Sequence, residues 1–345
     1  MHALILAGGK GTRLRPLTVY TPKPIVPVMN RPFLLYQIDI LRRAGIDNIT
    51  LSLSYQPDKI EHILGDGSDY GVTLRFITEP NPLGTGGAYR FASEGLEDTT
   101  VVLNGDILTT ADITKIVEFH RAHQAEATIT LTPVENPSAY GLVETDKESR
   151  VKGFIEKPSS ELIQKKKLNS INAGIYVLEP SVRDLITKGE NRSFEYHVFP
   201  DLLEKKRNFF AYEMKGEYWR DLGSPDNYLS AHMDFLAGKI SGFDLSSSTS
   251  SDIATHSDVR NSMIGEDCTI KPNAEIINSV IGPGAYIEEK ARIENSVIWS
   301  HTRVASFASI NGAVIARSCH IGRNTTVSEG TVLGDKASLP DYSRI

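Results

Sequence analysis

The C-terminal part of the chain repeats with a period of 17 residues, and few folds can accept that period. Ile264, Ile281, Ile298 and Ile315 form one series at this spacing, Ile270, Ile287, Val304 and Ile321 a second, and Ile276, Ile293, Ile310 and Val327 a third. Each period therefore divides into six, six and five residues. Hexapeptide units headed by an aliphatic residue, with a small residue four places on, predict a parallel β-helix whose flat faces stack coil upon coil. The small positions agree: Cys268, Ala285, Thr302 and Cys319 form one column, and Ala274, Ala291, Ala308 and Thr325 another. The two cysteines of the chain thus have a packing role. Three coils apart, about 14 Å at ~4.8 Å per stacked strand, they are too distant to form a disulfide.

Ahead of the repeat the pattern differs. "HALILAGG", "NITLSLSY", "VTLRFITEP", "TVVLNGDIL" and "ATITLTPV" read as buried strands. Between them "RPFLLYQIDILRRAG", with Pro32 inside its start and Gly45 at its stop, and "ADITKIVEFHRAH" have helical spacing. This alternation predicts a mainly parallel sheet covered on both faces, whose ligands gather at the carboxyl ends of the strands. "YGLVETDKESRVKGFIEKP" reads as a hairpin, "INAGIYVL" as a strand, and helices follow through "FEYHVFPDLLEKK" and "SPDNYLSAHMDFLAG". "SGFDLSSSTSSD", residues 241–252, is polar and low in complexity and reads as a linker. The expected division is 1–240, a linker at 241–252, and the β-helix at 253–345.

The formal net charge of −6 over 345 residues argues against a protein that coats nucleic acid or anionic membrane. Any anionic ligand should be small and held by a local group of cations. No apolar run approaches the roughly 18 residues that span a bilayer, and "MHALILAGG" lacks the charged start and cleavage site of a signal peptide. A cytoplasmic protein is expected, which also suits two unpaired cysteines.

"GGKGTRLRPLTVYTPKP", residues 8–24, is the candidate cation cluster. It fails the dinucleotide fingerprint, because Leu14 stands where a third glycine is needed, and no P-loop spacing occurs. What remains is a strand ending in glycines whose backbone N–H groups can converge on phosphate oxygens. Arg13 adds a planar fork of donors and Lys23 a point charge, aimed by Pro22 and Pro24 on either side.

"LAGGKGTRLRPLT" with "PKP", followed in order by "PLGTGG", "NGD", "FIEKP", "NAG" and "WRDLG", closely resembles the signature of the nucleotide-sugar pyrophosphorylases, or sugar-1-phosphate nucleotidylyltransferases. The resemblance covers about the first 230 residues, and an appended hexapeptide helix is common in that family. It implies an α/β, Rossmann-like nucleotidyltransferase domain with a mainly parallel sheet, followed by a left-handed parallel β-helix. The implied reaction is attack by a sugar 1-phosphate oxygen on the α-phosphorus of a nucleoside triphosphate, with release of pyrophosphate. A phosphate nucleophile is already ionised at neutral pH, so no general base is required, and no histidine falls within the motifs. The difficulty is repulsion between two anions, which calls for fixed cations and in-line positioning.

By the same resemblance Arg13 and Lys23 act at the triphosphate, and Leu6, Ala7, Gly8, Gly9, Gly11, Thr12, Glu79, Gly84 and Thr85 line the nucleotide. Asp106 and Asp221 are the implied carboxylates for Mg²⁺, whose preference for hard oxygen donors they suit. Gly141, Glu156, Lys157 and Asn172 are the implied sugar contacts. Without the motif, Glu156 and Lys157 would read as an exposed charged turn before Pro158.

Thymidylyl-transferring relatives carry glutamine where Glu79 stands. A carboxylate offers only acceptors and suits the paired N1–H and N2–H₂ donors of guanine, which favours GTP; the alternative is a glutamate ending its strand in solvent. The branch that the chain most resembles guanylylates mannose 1-phosphate, and glucose 1-phosphate with thymidylyl or uridylyl transfer stays open. Gly86, where many guanylyltransferases have alanine, is expected to loosen its loop. A homo-oligomer is expected, with the β-helix as its contact. Two other classes compete. A non-catalytic nucleotide-sugar-binding regulator should have lost one of Arg13, Lys23, Asp106 or Asp221, all of which are present. An acyltransferase would use His256, His301 or His320 of the β-helix as base, but these are expected at surface turns. "KKK" at 165–167 reads as a solvated helix face.

Overall fold

The computed structural model describes residues 1–166, 168–245 and 251–345. The chain forms two compact units, one of Met1–Gly9 with Tyr36–Trp219 and one of Lys10–Leu35 with Arg220–Ile345.

The first unit is built on a nine-stranded sheet. β1 (His2–Leu6), β2 (Asn48–Leu53), β3 (Thr73–Thr78) and β4 (Thr100–Asn104) are parallel, in the order β3-β2-β1-β4. The apolar runs of the sequence are these strands, and Ala3, Leu4 and Ile5 of β1 are fully buried, as in a sheet covered on both faces. The other half is mixed. β5 (Ala127–Pro133), β6 (Gly141–Thr145), β7 (Val151–Glu156), β8 (Ser170–Leu178) and β9 (Phe209–Glu213) continue it. β8 runs antiparallel to β4, β5 and β6, β7 pairs antiparallel with β6 as the expected hairpin, and β9 joins β5 in parallel. The mainly parallel expectation therefore holds for the half that carries the glycine stretch.

Helices α1 (Leu34–Arg43), α2 (Gly84–Ala92), α3 (Ile113–Ala122) and α4 (Phe199–Glu204) connect the strands. Pro32 lies outside α1, in a two-residue strand paired with Pro27–Val28, so the helix begins later than its proline suggests. Asp112 caps α3 by accepting Lys115 N–H at 3.1 Å. A π-helical turn, Phe194–Val198, leads into α4. Its Phe194 packs with Tyr89, Tyr176 and Phe199 in the aromatic core of this unit.

In the second unit α5 (Pro225–Leu236), capped by Ser224, precedes a left-handed parallel β-helix. Among the described residues its three sheets hold six, five and five strands, stacked in parallel. Val259↔Ile276, Ile270↔Ile287 and Ile281↔Ile298 are in register at the 17-residue offset. The aliphatic series from Ile270 to Ile321 is buried at its centre, and so are both small-residue columns. Cys268 and Cys319 are buried free thiols, which burial pushes up from the ordinary thiol pKa. The register slips to 18 at the end, with Ile315↔Leu333, because Ser328–Thr331 contains one extra residue at the Gly330 turn.

Two side-chain ladders hold successive coils together. Ser279, Ser296 and Ala313 N–H groups donate to the hydroxyls of Ser262, Ser279 and Ser296 at 3.0–3.1 Å. Asn261, Asn278, Asn295 and Asn311 are linked side chain to side chain at 2.8–3.1 Å. The first three of these asparagines have φ of 46–49°, a left-handed turn that asparagine tolerates better than most residues. His256 and His301 sit at similar exposed turns, as expected, whereas His320, also exposed, lies in a two-residue strand, His320–Ile321, and not at a turn. Of the expected linker 241–252, residues 246–250 lie outside the described residues, as does Lys167 of the lysine run. No helix among the described residues is long and apolar enough to cross a membrane.

Candidate active site

In the first unit the glycine stretch begins where β1 meets the carboxyl ends of its neighbours. Ala7 N–H donates to Ser52 O at 2.9 Å and Gly105 N–H to Leu6 O at 2.8 Å. A Cβ on Gly105 would come within 2.7 Å of Leu6 O and 3.0 Å of Ala7 Cα, so only glycine lets the end of β4 close on β1. Asp106 is thereby placed next to Leu6 and Ala7. Gly8 accepts the Ser54 hydroxyl, and a Cβ there would lie 3.0 Å from Glu79 Oε1. Gly9 faces open space.

Glu79 is 9% exposed, so it does not end its strand in solvent. Its Oε1 accepts the Ser52 hydroxyl at 3.0 Å and its Oε2 accepts Leu83 N–H at 3.2 Å. Burial pushes its carboxyl above the usual range, against the pull of those two bonds.

"PLGTGG" is the start of α2 rather than a free loop. Gly84 has φ of 70°, and a Cβ there would approach Arg192 O to 2.6 Å. Gly86 is buried, and its missing Cβ faces Val198 Cγ2 at 2.9 Å and Arg192 O at 3.2 Å. The glycine thus admits the Arg192–Val198 segment instead of loosening the backbone. Thr85 Oγ1 donates to Glu195 Oε2 at 3.1 Å and accepts Phe194 N–H at 2.8 Å.

Glu195 escaped the sequence reading. Burial pushes its carboxyl up, its hydrogen bonds with its own backbone, Thr85 and Ser193 oppose this, and Asp106 adds repulsion. Glu156 is also pushed up, first by burial and then by Glu195, with Lys157 opposing. Asp106, Glu156 and Glu195 thus share one electrostatic neighbourhood. A glutamate four residues before the FP pair of α4 carried no motif of its own, and only the π-turn turns it inward.

Gly141 lies over Glu156, its missing Cβ 2.9 Å from Oε2, and Lys157 N–H bonds Tyr140 O at 3.0 Å. Asn172 donates to the Tyr176 hydroxyl and accepts Gly174 N–H, both at 2.9 Å, which braces the irregularity in β8. Nearby, Asn104 Oδ1 is buried with no hydrogen-bond partner.

In the second unit Gly11 adopts φ of 61°, and its missing Cβ faces Lys23 Cβ at 3.1 Å and Thr18 Cγ2 at 3.2 Å. Thr18 closes the loop through a 2.7 Å bond to Gly11 O. Thr12–Leu14 and Lys23–Ile25 are single 3₁₀ turns, and Lys23 is 8% exposed. Arg13 and Asp221 converge on Gly223. A Cβ there would stand 3.0 Å from Arg13 Nη2 and would collide with Asp221 Oδ2. Asp221 Oδ1 accepts Asn227 Nδ2 at 2.9 Å, from the first turn of α5. The sequence-predicted residues thus fall into two groups, each within its own unit: Leu6–Gly9, Glu79, Gly84, Thr85, Asp106, Gly141, Glu156, Lys157 and Asn172 in the first, and Gly11, Thr12, Arg13, Lys23 and Asp221 in the second.

Residues 2–238 match the family model described as "Nucleotidyl transferase", and residues 246–345 match "EIF2B subunit epsilon LbH domain". The chain is 40% identical over 240 residues to a mannose-1-phosphate guanylyltransferase of Mycobacterium tuberculosis, an alignment covering 69% of this chain and 65% of the relative. It is 42% identical over 243 residues to a mannose-1-phosphate guanyltransferase of Pichia angusta, covering 69% and 65%. The corresponding protein of Saccharomyces cerevisiae is 38% identical over 242 residues, covering 68% and 65%. The matched region thus spans just under two thirds of these relatives' own length. On the family match over most of its length, and on the glycine stretch that carries it, the chain belongs to the nucleotidyl transferase family.

Proposed function

We propose that the protein transfers guanylyl from GTP to mannose 1-phosphate, giving GDP-mannose and pyrophosphate. The observation that carries this reading is the convergence of Arg13 and Asp221 on Gly223, with Gly11 closed over Lys23 in the same unit. A guanidinium held beside a carboxylate, with a buried lysine on the same segment, suits a reaction whose main obstacle is anion repulsion. The names of the relatives supply the base and the sugar.

In this reading the backbone N–H groups after β1 and the Arg13 fork bind the triphosphate, and Lys23 holds the α-phosphate toward attack. Asp106 and Asp221 would hold Mg²⁺, and both offer the hard oxygens it prefers. Asp221 fits that role here, since Asn227 fixes one oxygen and the other lies against a residue without a side chain. Bound Mg²⁺ supplies charge neutralisation at the phosphates. Glu156 and Asn172 take sugar hydroxyls, Lys157 reaches the sugar phosphate, and Gly141, whose missing side chain lets Glu156 and Phe154 close on its backbone, offers the ring a main-chain contact. Glu79 keeps lone pairs beyond its two internal bonds, with which to meet guanine donors. We further propose a catalytic domain over 1–240, a linker over 241–252 and the β-helix over 253–345, in a cytoplasmic homo-oligomer. The family models, which match 2–238 and 246–345, support a division of the chain near residue 240, the second of them starting inside the proposed linker.

The test is pyrophosphate release from four nucleotides crossed with several sugar 1-phosphates, with and without Mg²⁺. GTP with mannose 1-phosphate and Mg²⁺ should be the best combination. Preference for glucose 1-phosphate with dTTP or UTP would move the chain to another branch, and no release from any pair would make it a nucleotide-sugar-binding regulator.

A further inference from the structure

Residues 10–35 have little structure of their own. They contain two single 3₁₀ turns and one two-residue strand pair, with prolines at 16, 22, 24, 27 and 32. A segment with so few internal backbone bonds takes its shape from what it packs on. In the second unit that support is the β-helix and the helix leading into it.

Arg317, on a turn of the β-helix, donates from Nη2 to Thr21 Oγ1 at 2.6 Å. Thr21 is buried, two residues before Lys23. The same guanidinium pairs with Asp335 Oδ2 at 3.2 Å, and Arg317 N–H donates to Asp335 Oδ1 at 3.2 Å, so the arginine is itself held. Next to Asp335, Gly334 admits Pro16, which would lie 3.1 Å from an added Cβ. Beyond Lys23 the segment is fixed again. Asn30 Nδ2 donates to Ile281 O at 2.9 Å, and the Tyr228 hydroxyl donates to Pro27 O while accepting Trp299 Nε1–H at 2.9 Å. Lys23 thus sits between two anchors, both on β-helix coils.

We propose that the β-helix positions this segment, with Arg317 as the positioning residue that fixes Thr21 and, through it, Lys23, and so sets nucleotide affinity. The inference rests on the reading that Lys23 meets the nucleotide. Arg317 has a side chain 45% exposed and lies on a turn outside the buried aliphatic columns of the coils; Asp335, which it pairs with, keeps the Arg317 backbone N–H as a donor when the guanidinium is removed.

The experiment compares the full chain with Arg317→Ala, Arg317→Lys, Thr21→Val and the double variant Arg317→Ala/Thr21→Val, using GTP and mannose 1-phosphate. Arg292→Ala is the control, removing an exposed arginine of the same β-helix that pairs with Glu275 and Glu294. Arg317→Ala should raise KM for the nucleotide about tenfold, the scale of one charge-assisted hydrogen bond, and leave KM for the sugar phosphate unchanged. Thr21→Val should do the same, the double variant should be no worse than either, and Arg317→Lys should recover part of the loss. Unchanged kinetics, additive effects, or an equal loss in Arg292→Ala would overturn the inference. Hydrogen exchange separates it from the assigned activity. Protection of residues 15–32 should fall in Arg317→Ala and not in Arg292→Ala, even if the wild-type chain turns over no substrate tried; equal protection in all three would overturn it.

Discussion

Glu79 shows how far a single residue can be read from sequence. Its carboxylate type and its place before "PLGTGG" were legible, but its partners were not, because Ser52 comes from a strand 27 residues earlier. A glutamine can keep both bonds if the Ser52 hydroxyl reverses and accepts, so Glu79→Gln should leave the unfolding free energy nearly unchanged, within about 1 kcal/mol, in chemical denaturation. Any change in base preference is then assignable to the base edge. The ratio of kcat/KM for GTP over dTTP should fall; an unchanged ratio would leave Glu79 as a brace between β2 and α2. In the sequence Gly223 is only the last residue of "WRDLG", yet it is where Arg13 and Asp221 meet. In Gly223→Ala the new methyl displaces one or both groups by a fraction of an ångström to an ångström. Turnover should fall about 100-fold, the cost of a small misplacement, with near-wild-type far-UV circular dichroism. Wild-type turnover in this variant would remove the Arg13–Asp221 convergence from the chemistry.

Among the elements, those with a strict period were the most legible. The β-helix follows from spacing alone because every coil must bury an aliphatic residue on each face, whereas the start of α2 was hidden by its glycines, which oppose helix. They stand there because neighbouring backbone comes too close, an effect of partners more than 100 residues away. This sets up two opposed forces in Gly86→Ala. Alanine gains about 1 kcal/mol of helix propensity, while a Cβ 2.9 Å from the buried Val198 methyl imposes overpacking of roughly 1–3 kcal/mol. Val198 is 2% exposed and hemmed in by the aromatic core, so it has little room to yield. We expect the clash to win, lowering stability by about 1 kcal/mol net in chemical denaturation. A stabilised variant would mean that the Arg192–Val198 segment moves aside readily.

At the scale of the whole chain, sequence divides the molecule near residue 240, whereas its compact units cut across that line and join Lys10–Leu35 with Arg220–Ile345. No periodicity could show this, since the joining contacts, hydrogen bonds and the packing of Pro16 on Gly334 among them, lie between residues some 200 to 300 positions apart. His232 lies at one of these junctions. It is fully buried in α5, bonded from Nδ1 to Tyr228 O at 2.8 Å, with its ring against Tyr228, whose hydroxyl meets Pro27 and Trp299. Burial lowers its pKa from 6.5 to about 4, against the hydrogen bond to the Tyr228 backbone that raises it. Between those two values the unfolded chain binds a proton that the folded chain does not. Stability is therefore fully present above pH 6.5 and lost as the pH falls toward 4. The loss should reach about 3 kcal/mol, from 1.36 kcal/mol per pH unit. Carboxylates titrate in the same range, so the measurement is a comparison of urea unfolding at pH 7.5 and pH 4.5 in the wild type and in His232→Gln. The variant should be less stable at pH 7.5, because it loses the ring packing, and should lose less stability on acidification. Parallel losses in the two proteins would mean that this junction does not hold a neutral imidazole.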